Sequence, residues 1–205
     1  MSDSKSIRQA FRQCVETADL NEPARSIADL VVSESFRRSD FDKVVEKQGL
    51  ANRPEFKGIL LDLVLLFAEK CVEDHALSTA ELQELSFLAS VFRIDDGDFL
   101  EARRGEVEQL LAAQLGRILE DRYVEEKEEI LLRDLQRLFG LSYDQFVGLL
   151  RPRVEAQIGN LEDKIKLISD REQYAKAEKC IRNLRSVFLV AESEGISFEE
   201  RSRLT

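Results

Sequence analysis

Two pairs of adjacent acids, 47 residues apart, are the strongest candidates for chemistry in this sequence. Each pair lies in a predicted turn, and a glutamate follows it at the start of the next predicted helix. The six residues are Glu73, Asp74, Glu81, Glu120, Asp121 and Glu128. Carboxylates grouped near exposed helix-end carbonyls can bind a cation, and a group of acids can also dock a basic protein surface. We therefore regard these six residues as a candidate partner- or cation-binding set.

The position of the acid pairs is unusual because they follow the C-terminal ends of predicted helices. The helix dipole is negative there and disfavours carboxylates, so a feature that breaks this rule twice needs an explanation. A local explanation is that His75 and Arg122 neutralise the acids, and that Glu81 and Glu128 are only helix caps. The sequence leaves three interpretations open: this local one, an acidic patch that faces a partner, and a metal site.

Enzymatic chemistry has little support in the sequence. His75 is the only histidine, and it has no serine or cysteine beside it in a nucleophile motif. The chain has no glycine-rich phosphate loop, no H-E-x-x-H motif and no paired-cysteine motif. The acid pairs lie on predicted solvated turns, without the burial that tunes a pKa for acid–base catalysis. We expect a protein that is not an enzyme and that uses no cofactor.

The composition favours a protein partner in a reducing cytosol. The formal net charge is −10, which disfavours nucleic acid and anionic membranes because both attract basic surfaces. The three cysteines are scattered and odd in number, so neither a disulfide framework nor a zinc site is expected. The partner predicted from these properties is another protein, with a basic surface.

Targeting signals are not evident. The first residues, MSDSKSIRQAFRQ, are polar and lack the apolar region of a signal peptide. The most apolar stretch, residues 59–68, is too short to cross a bilayer and contains Asp62. We expect a cytoplasmic protein with no direct membrane insertion.

The elements that must position the acids are all predicted to be helices. Apolar residues at helical spacing predict a helix over residues 6–18. Asn21 is placed to cap a second helix from residue 22 to about residue 37, and a short third helix ends near Gly49. These N-terminal helices are predicted to pack on the helix that follows.

That next helix, from Pro54 to about Glu73, is predicted to be the centre of the domain. Its apolar residues go nearly all round the helix, which is typical of a helix surrounded by others. Cys71 lies in its apolar pattern, and we interpret it as a small buried residue.

The segment that contains the acids repeats with a period of 47 residues. Apolar residues recur at this spacing: Leu85 and Leu132, Leu88 and Leu135, Phe92 and Phe139, Phe99 and Phe146. A period of this length is typical of stacked helical units. The prediction is an all-α, multi-helix bundle built from tandem helical repeats, with a continuous linking helix over residues 107–119. The four phenylalanines are interpreted as core residues.

The turns of the repeat carry capping signals. Ser78 with Glu81, and Ser142 with Gln145, have the spacing of capping boxes. The stretch RIDDGDF takes the equivalent place in the first unit, but its acids do not follow the spacing of a calcium loop. We predict that it is a helix-capping turn.

The C-terminal quarter is predicted to form longer helices with breaks near Gly159-Asn160 and near Ser169-Asp170. Ser197-x-x-Glu200 is a further capping signal, which predicts that another unit opens at the end of residues 159–205. Either the chain is a fragment of a longer protein or this is a natural C-terminus. The predicted organisation is residues 1–52 as N-terminal helices, 53–158 as two tandem units, and 159–205 as C-terminal helices. We expect one continuous bundle.

The repeated signature resembles the TerB-like family, which is named for the tellurite-resistance protein TerB. The family motif reads roughly A-D-G-x-φ-S-x-x-E, where φ is apolar. The stretches EDHALSTAE, EDRYVEEKE and SEGISFEE follow it, the last one residue shorter. His75 and Arg122 stand where the family has glycine, and Glu125 stands where it has serine. The resemblance covers about residues 55–158.

This resemblance implies a helical bundle linked to stress, to tolerance of metal compounds, or to membrane-associated scaffolds. It implies no established reaction. We therefore expect a non-catalytic interaction or scaffold module that docks a partner through an acidic helical surface, and such a module should have an exposed groove or apolar patch. The alternative is a stress protein that responds to a cation or metal oxyanion through the Glu-Asp turns. A helical enzyme with unrecognised active residues is the third hypothesis, and it predicts a deep pocket of acids.

Overall fold

The computed structural model describes residues 2–33, 35–53, 55–73, 77–118, 126–167 and 169–188, without the side chains of residues 2–6, 52, 118, 126–129, 183 and 187. Within these ranges the chain forms ten α-helices and one short 3-10 helix, and no strand. The predicted all-α class is confirmed.

The helices follow one another with short connections. Their bounds are α1 Ser2–Thr17, α2 Glu22–Val31, α3 Arg38–Gln48, the 3-10 helix Leu50–Asn52, α4 Phe56–Cys71, α5 Thr79–Val91, α6 Asp98–Ala102, α7 Arg104–Ile118, α8 Glu126–Leu138, α9 Tyr143–Ile165 and α10 Arg171–Phe188.

Helix α1 begins at Ser2, four residues before its predicted start, whereas α2 begins at Glu22 as predicted but is shorter than expected. The Asn21 side chain accepts a hydrogen bond from the Ala24 amide at 3.0 Å, which confirms the predicted cap. Helix α2 ends at Val31 and not near residue 37. Helix α3 ends at Gly49, which has a φ of 61° in the left-handed region that glycine adopts without strain.

Helix α4 forms the centre of its part of the molecule, as its apolar pattern predicts. It is buried on most sides, and it packs against α1, α2 and α5. Phe11 of α1 stacks on Phe67 of α4 with ring centroids 4.3 Å apart. Cys71 at the end of α4 is buried, as predicted. The N-terminal helices therefore pack on α4 as the sequence indicates.

The chain divides into two compact units. Unit 1 comprises Met1–Val107 and Leu138–Gly140, and unit 2 comprises Glu108–Arg137 and Leu141–Thr205. The division falls inside α7, which is continuous from Arg104 to Ile118 and so covers residues 107–118 of the predicted linking helix; residue 119 lies outside the described residues. The predicted segments 1–52, 53–158 and 159–205 stay a prediction.

Helices α5 and α8 have bounds 47 residues apart at both ends. The paired apolar residues are buried in each: Leu85 and Leu132, Leu88 and Leu135, Phe92 and Phe139, Phe99 and Phe146. The interpretation of the phenylalanines as core residues is confirmed. That the two helices derive from one repeated unit stays a prediction.

The predicted breaks in the C-terminal quarter are partly wrong. Helix α9 continues through Pro152 and through Gly159-Asn160. Pro152 cannot donate to the Gly148 carbonyl, but both residues are exposed, so water can hydrate that carbonyl. The second predicted break is confirmed, because α10 begins at Arg171 after Asp170, whose side chain accepts from the Gln173 amide at 2.8 Å.

Cysteine burial differs between the three positions. Cys71 and Cys180 are buried, and Cys14 is partly exposed. No helix in the described ranges combines the length and the apolar character needed to cross a membrane. The capping signal at Ser197 and Glu200 lies outside the described residues.

Candidate partner-binding site

Glu73 lies on the turn that follows α4, and its carboxylate is engaged by its own helix. The Lys70 ammonium is 2.5 Å from Glu73 Oε2, and 61% of the Glu73 side chain is exposed. This hydrogen bond raises the pKa of Lys70. Lys70 thus neutralises an acid at the negative end of the helix dipole. The sequence analysis does not foresee this pair with Lys70. Neutralisation by His75 and Arg122 stays a prediction, because both lie outside the described residues.

Glu81 forms one half of a capping box at the start of α5. Its Oε2 accepts from the Ser78 amide at 2.8 Å, and the Ser78 hydroxyl accepts from the Glu81 amide at 3.2 Å. The prediction of a capping box is confirmed here, and again for Ser142 with Gln145. A carboxylate held in this way has one oxygen committed to the backbone.

The remaining four candidates cannot be placed as side chains. Asp74, Glu120 and Asp121 lie outside the described residues, and so do His75 and Arg122. Glu128 is in α8, but its side chain is outside the description. Among the described residues, no group of three or more His, Cys, Asp or Glu side chains is placed to hold a metal ion. The clustering of the six acids stays a prediction.

Cys14 of α1 lies beside the end of α4, a neighbour that the sequence analysis does not assign to the site. Its Sγ is 3.8 Å from the Leu66 carbonyl oxygen. Burial raises the pKa of the Cys14 thiol; Lys70 lowers this pKa, and Glu73 and Glu69 raise it. The net upward shift keeps the thiol protonated, so it is a poor nucleophile.

The outer face of α5 has an aromatic side chain that the sequence analysis misses. Phe87 is 39% exposed and contacts Phe36 edge-on, with ring centroids 5.9 Å apart. Its position could have been found, because it follows the buried Leu85 by two residues and therefore points to the other side of the helix. Four large apolar or aromatic side chains of the described residues are exposed: Phe87, Ile130, Leu167 and Tyr174. Of these, Phe87 is the one that lies on the helix that Glu81 caps.

Uncharged residues surround Phe87 along this helix. We call the exposed residues of α5 the α5 face; they are Thr79, Gln83, Ser86, Phe87 and Ser90. Glu84 lies next to this face on α5, but Arg8 Nη2 is 3.0 Å from Glu84 Oε1 and both side chains are largely buried. The α5 face is therefore uncharged in a chain in which 34% of residues are charged.

Among their described residues, Glu73, Glu81 and the α5 face combine carboxylates with an exposed aromatic ring, and they include no nucleophile paired with a base. Glu73 follows the end of α4 and Glu81 lies in the first turn of α5. The α5 face is an uncharged strip with one aromatic side chain, Phe87. No known protein family, curated protein or solved structure matches this chain. The resemblance to the TerB-like family therefore depends on the short motif alone.

Proposed function

We propose that this chain is a non-catalytic, TerB-like helical module that docks another protein in the cytoplasm. The contact surface comprises Glu73, Glu81 and the α5 face. The partner presents a basic rim, which pairs with Glu73 and Glu81, around an apolar pocket that accepts Phe87.

The exposure of Phe87 is the observation that carries this proposal. The centres of protein interfaces are enriched in aromatic residues and depleted of charged ones. Phe87 is 39% exposed although Phe36 supports it on one edge. A ring held in one position loses little entropy when it enters a pocket, which is typical of residues that dominate a binding energy.

The acids contribute to the rate and selectivity of docking. Glu73 is 61% exposed, so its charge reaches solvent despite Lys70. In a chain of net charge −10, such exposed carboxylates attract basic surfaces and repel acidic ones. Association through this rim should weaken as salt is added, because exposed charges are screened.

The first test places a photo-crosslinking amino acid at position 87 of the full chain, in cell extract. Tyr174 on α10 is the matched control position, because it is also aromatic and is 44% exposed. We expect a discrete crosslinked protein from position 87 that position 174 does not give. Equal crosslinking from both positions would show that aromatic exposure alone explains the capture.

The second test measures binding of the captured protein after purification. Phe87→Ser should weaken binding about tenfold or more, and Tyr174→Ser should leave it unchanged. The double variant Glu73→Gln/Glu81→Gln removes two charges, and a glutamine at position 81 can still cap, as Gln145 does. It should slow association and flatten its salt dependence. Binding that none of these changes alters would overturn the proposal.

The cation-responsive alternative has no comparable support among the described side chains. No group of three or more His, Cys, Asp or Glu side chains among the described residues is placed to hold a metal ion, and Asp74 and Asp121 lie outside the described residues. Thermal melts of the wild type and of Asp74→Asn/Asp121→Asn, with EDTA and with millimolar calcium, magnesium, manganese or zinc, test it. A rise in melting temperature that depends on one cation, and that the variant loses, would favour this alternative.

A further inference from the structure

Unit 2 contains an open cleft of about 450 Å³ between α7 and α9. Its α7 side is formed by Ala112, Leu115 and Gly116, and its α9 side by Arg153, Ala156, Gln157 and Asn160. Ala112 and Leu115 are buried and form an apolar floor. The volume lies in the range of small-molecule sites in proteins.

The charge of this cleft differs from that of the chain. The protein has 40 acidic and 30 basic residues, yet the described residues that line the cleft include no carboxylate and one guanidinium, that of Arg153. Arg153 makes no ion pair or side-chain hydrogen bond with any residue of the described ranges. Its donors are thus available to a ligand, and a planar guanidinium can bind a carboxylate through two parallel hydrogen bonds.

The polar groups of the cleft lie in a row along α9. Arg153, Gln157 and Asn160 are separated by four and three residues, so they share one face of the helix. From Arg153 to Asn160 the row is about 10 Å long. That length suits a compact molecule, and it is short for a partner helix of several turns.

We propose that this cleft binds a small amphiphilic carboxylate. The carboxylate binds Arg153, and the amides of Gln157 and Asn160 select polar atoms farther along the ligand. The apolar body of the ligand packs on Leu115, with the small side chains on both helices leaving room for it. This site is in unit 2, and it is independent of the docking surface around Phe87 in unit 1.

The probe for this proposal is octanoate, with octylammonium as a ligand of the same chain length and opposite charge. Titrations of the full-length protein are followed by calorimetry and by amide chemical shifts. We expect saturable binding of octanoate, with shifts centred on α7 and α9, and no binding of octylammonium. Equal binding of the two probes, or no binding of octanoate, would overturn the proposal.

Two variants test the two helices that line the cleft, Arg153→Gln on α9 and Gly116→Met on α7. Arg153→Gln should weaken octanoate binding about tenfold, because the charge-assisted hydrogen bonds are lost. Gly116→Met should abolish binding by filling the cleft, and the fold tolerates the change because nothing lies within 4 Å of a Cβ at this position. Gly105→Met is the control on α7, since the Cβ space there is also free and the residue does not line the cleft.

The pattern of results distinguishes this site from the docking surface. Phe87→Ser should bind octanoate as the wild type does. If Arg153→Gln and Gly116→Met retain full octanoate binding, the cleft is not the site and the proposal fails. That result would not affect the docking proposal, which is measured with a protein partner.

Discussion

The turn that follows α5 and the turn that follows α8 end their helices in the same way. Arg93 and Gly140, 47 residues apart, have φ angles of 56° and 59°. In both turns the next amide donates to a carbonyl five residues earlier at 3.0 Å; the pairs are Ile94 with Ala89 and Leu141 with Gln136. This is the Schellman geometry of a helix C-terminus. The left-handed residue of this motif is an arginine in the turn after α5 and a glycine in the turn after α8.

The two turns start the next helix differently. After α8, Ser142 and Gln145 form a complete capping box, and α9 runs for 23 residues. After α5, Asp98 Oδ2 accepts from the Asp95 amide at 2.5 Å, but the reciprocal bond is missing and Gly97 precedes the helix without a side-chain cap. The resulting helix α6 has five residues.

A long-range contact accounts for the end of α6. Arg103 interrupts the helix with a φ of −141°, and its guanidinium binds both carboxylate oxygens of Asp62 on α4. Gly58 makes room for this arginine, because a Cβ there would lie 2.8 Å from Arg103 Nη2. The position equivalent to Arg103 is Leu150, which is buried inside α9. The shorter helix thus ends at a residue with a polar long-range contact, and the longer helix continues through a buried apolar residue at the equivalent position.

The turn after α5 is stabilised by a lysine that contacts both of its ends. Lys57 Nζ donates to the Arg93 carbonyl at 2.8 Å and lies 2.6 Å from Asp98 Oδ2. Lys57 therefore joins both ends of this turn, and it can offset the strain of a left-handed arginine. Glycine at position 140 has little such strain. The same left-handed residue at a helix C-terminus thus occurs in two ways. In one turn the residue is glycine, and in the other it is an arginine whose carbonyl accepts a hydrogen bond from Lys57.

The largest expected effect comes from Gly140→Ala. A Cβ at this position would lie 2.8 Å from Asp96 Oδ1 and 2.9 Å from Asp96 Cα, and alanine would also be held at a positive φ. We expect a loss of about 3 kcal/mol in the free energy of unfolding, measured in urea. Gly49→Ala is the control, because its φ is 61° and its Cβ would meet nothing; it should lose about 1 kcal/mol. Equal losses would mean that the contact with Asp96 has no role.

Ser142→Ala should have the next largest effect. It removes the hydroxyl that accepts from the Gln145 amide, and loss of such a cap costs about 1 kcal/mol. Asp95→Ala at the equivalent position should cost less than half as much, because that side chain caps no amide of α6. Urea unfolding of both variants measures the difference. A loss at position 95 as large as at position 142 would contradict the contrast between the two turns.

Arg103→Lys should lower the free energy of unfolding by about 0.7 kcal/mol. Lysine keeps the charge but cannot bind both oxygens of Asp62, and the pair is partly exposed, which limits its contribution. Arg104→Lys, on the exposed residue beside it, should change nothing measurable. If the two variants are equally stable in urea, the Asp62 contact does not stabilise the break between α6 and α7.

Arg93→Gly should produce the smallest change, a gain of about 0.5 kcal/mol. Glycine relieves the left-handed strain, and the exposed pair between Arg93 and Asp42, at 3.4 Å, contributes little. Arg93→Ala should give no gain, since it keeps the strain and loses the same pair. Thermal unfolding of the two variants is the measurement, and a glycine variant no more stable than the alanine variant would contradict the prediction.

Local signals in the sequence are sufficient for much of the fold. The cap at Asn21, the capping boxes at Ser78 and Ser142, and the buried phenylalanines follow from spacing alone. The break at Arg103 could not be predicted, because it depends on Asp62, 41 residues away. The continuation of α9 through Gly159-Asn160 was also missed, since a glycine inside a helical pattern weakens the prediction of a helix without excluding one.

The candidate site was less predictable than the fold, because part of it depends on contacts between residues that are distant in the sequence. The role of Glu81 as a cap follows from its spacing with Ser78, and Lys70 lies three residues before Glu73, a spacing that signals a local pair. The exposure of Phe87 depends on what packs around α5. Helical phase indicates the direction of this ring, but only the tertiary structure shows that Phe36 contacts it and that 39% of Phe87 stays exposed.

The two buried cysteines can report local unfolding of the two units separately. Unit 1 holds the buried Cys71 and unit 2 holds the buried Cys180. A thiol that solvent cannot reach reacts with an alkylating reagent only when its surroundings open. Alkylation under native conditions, read at each cysteine by peptide mass spectrometry, would therefore time the opening of the two units separately, without any introduced label. Cys14 is partly exposed, so its thiol can react without such opening, although its raised pKa slows the reaction.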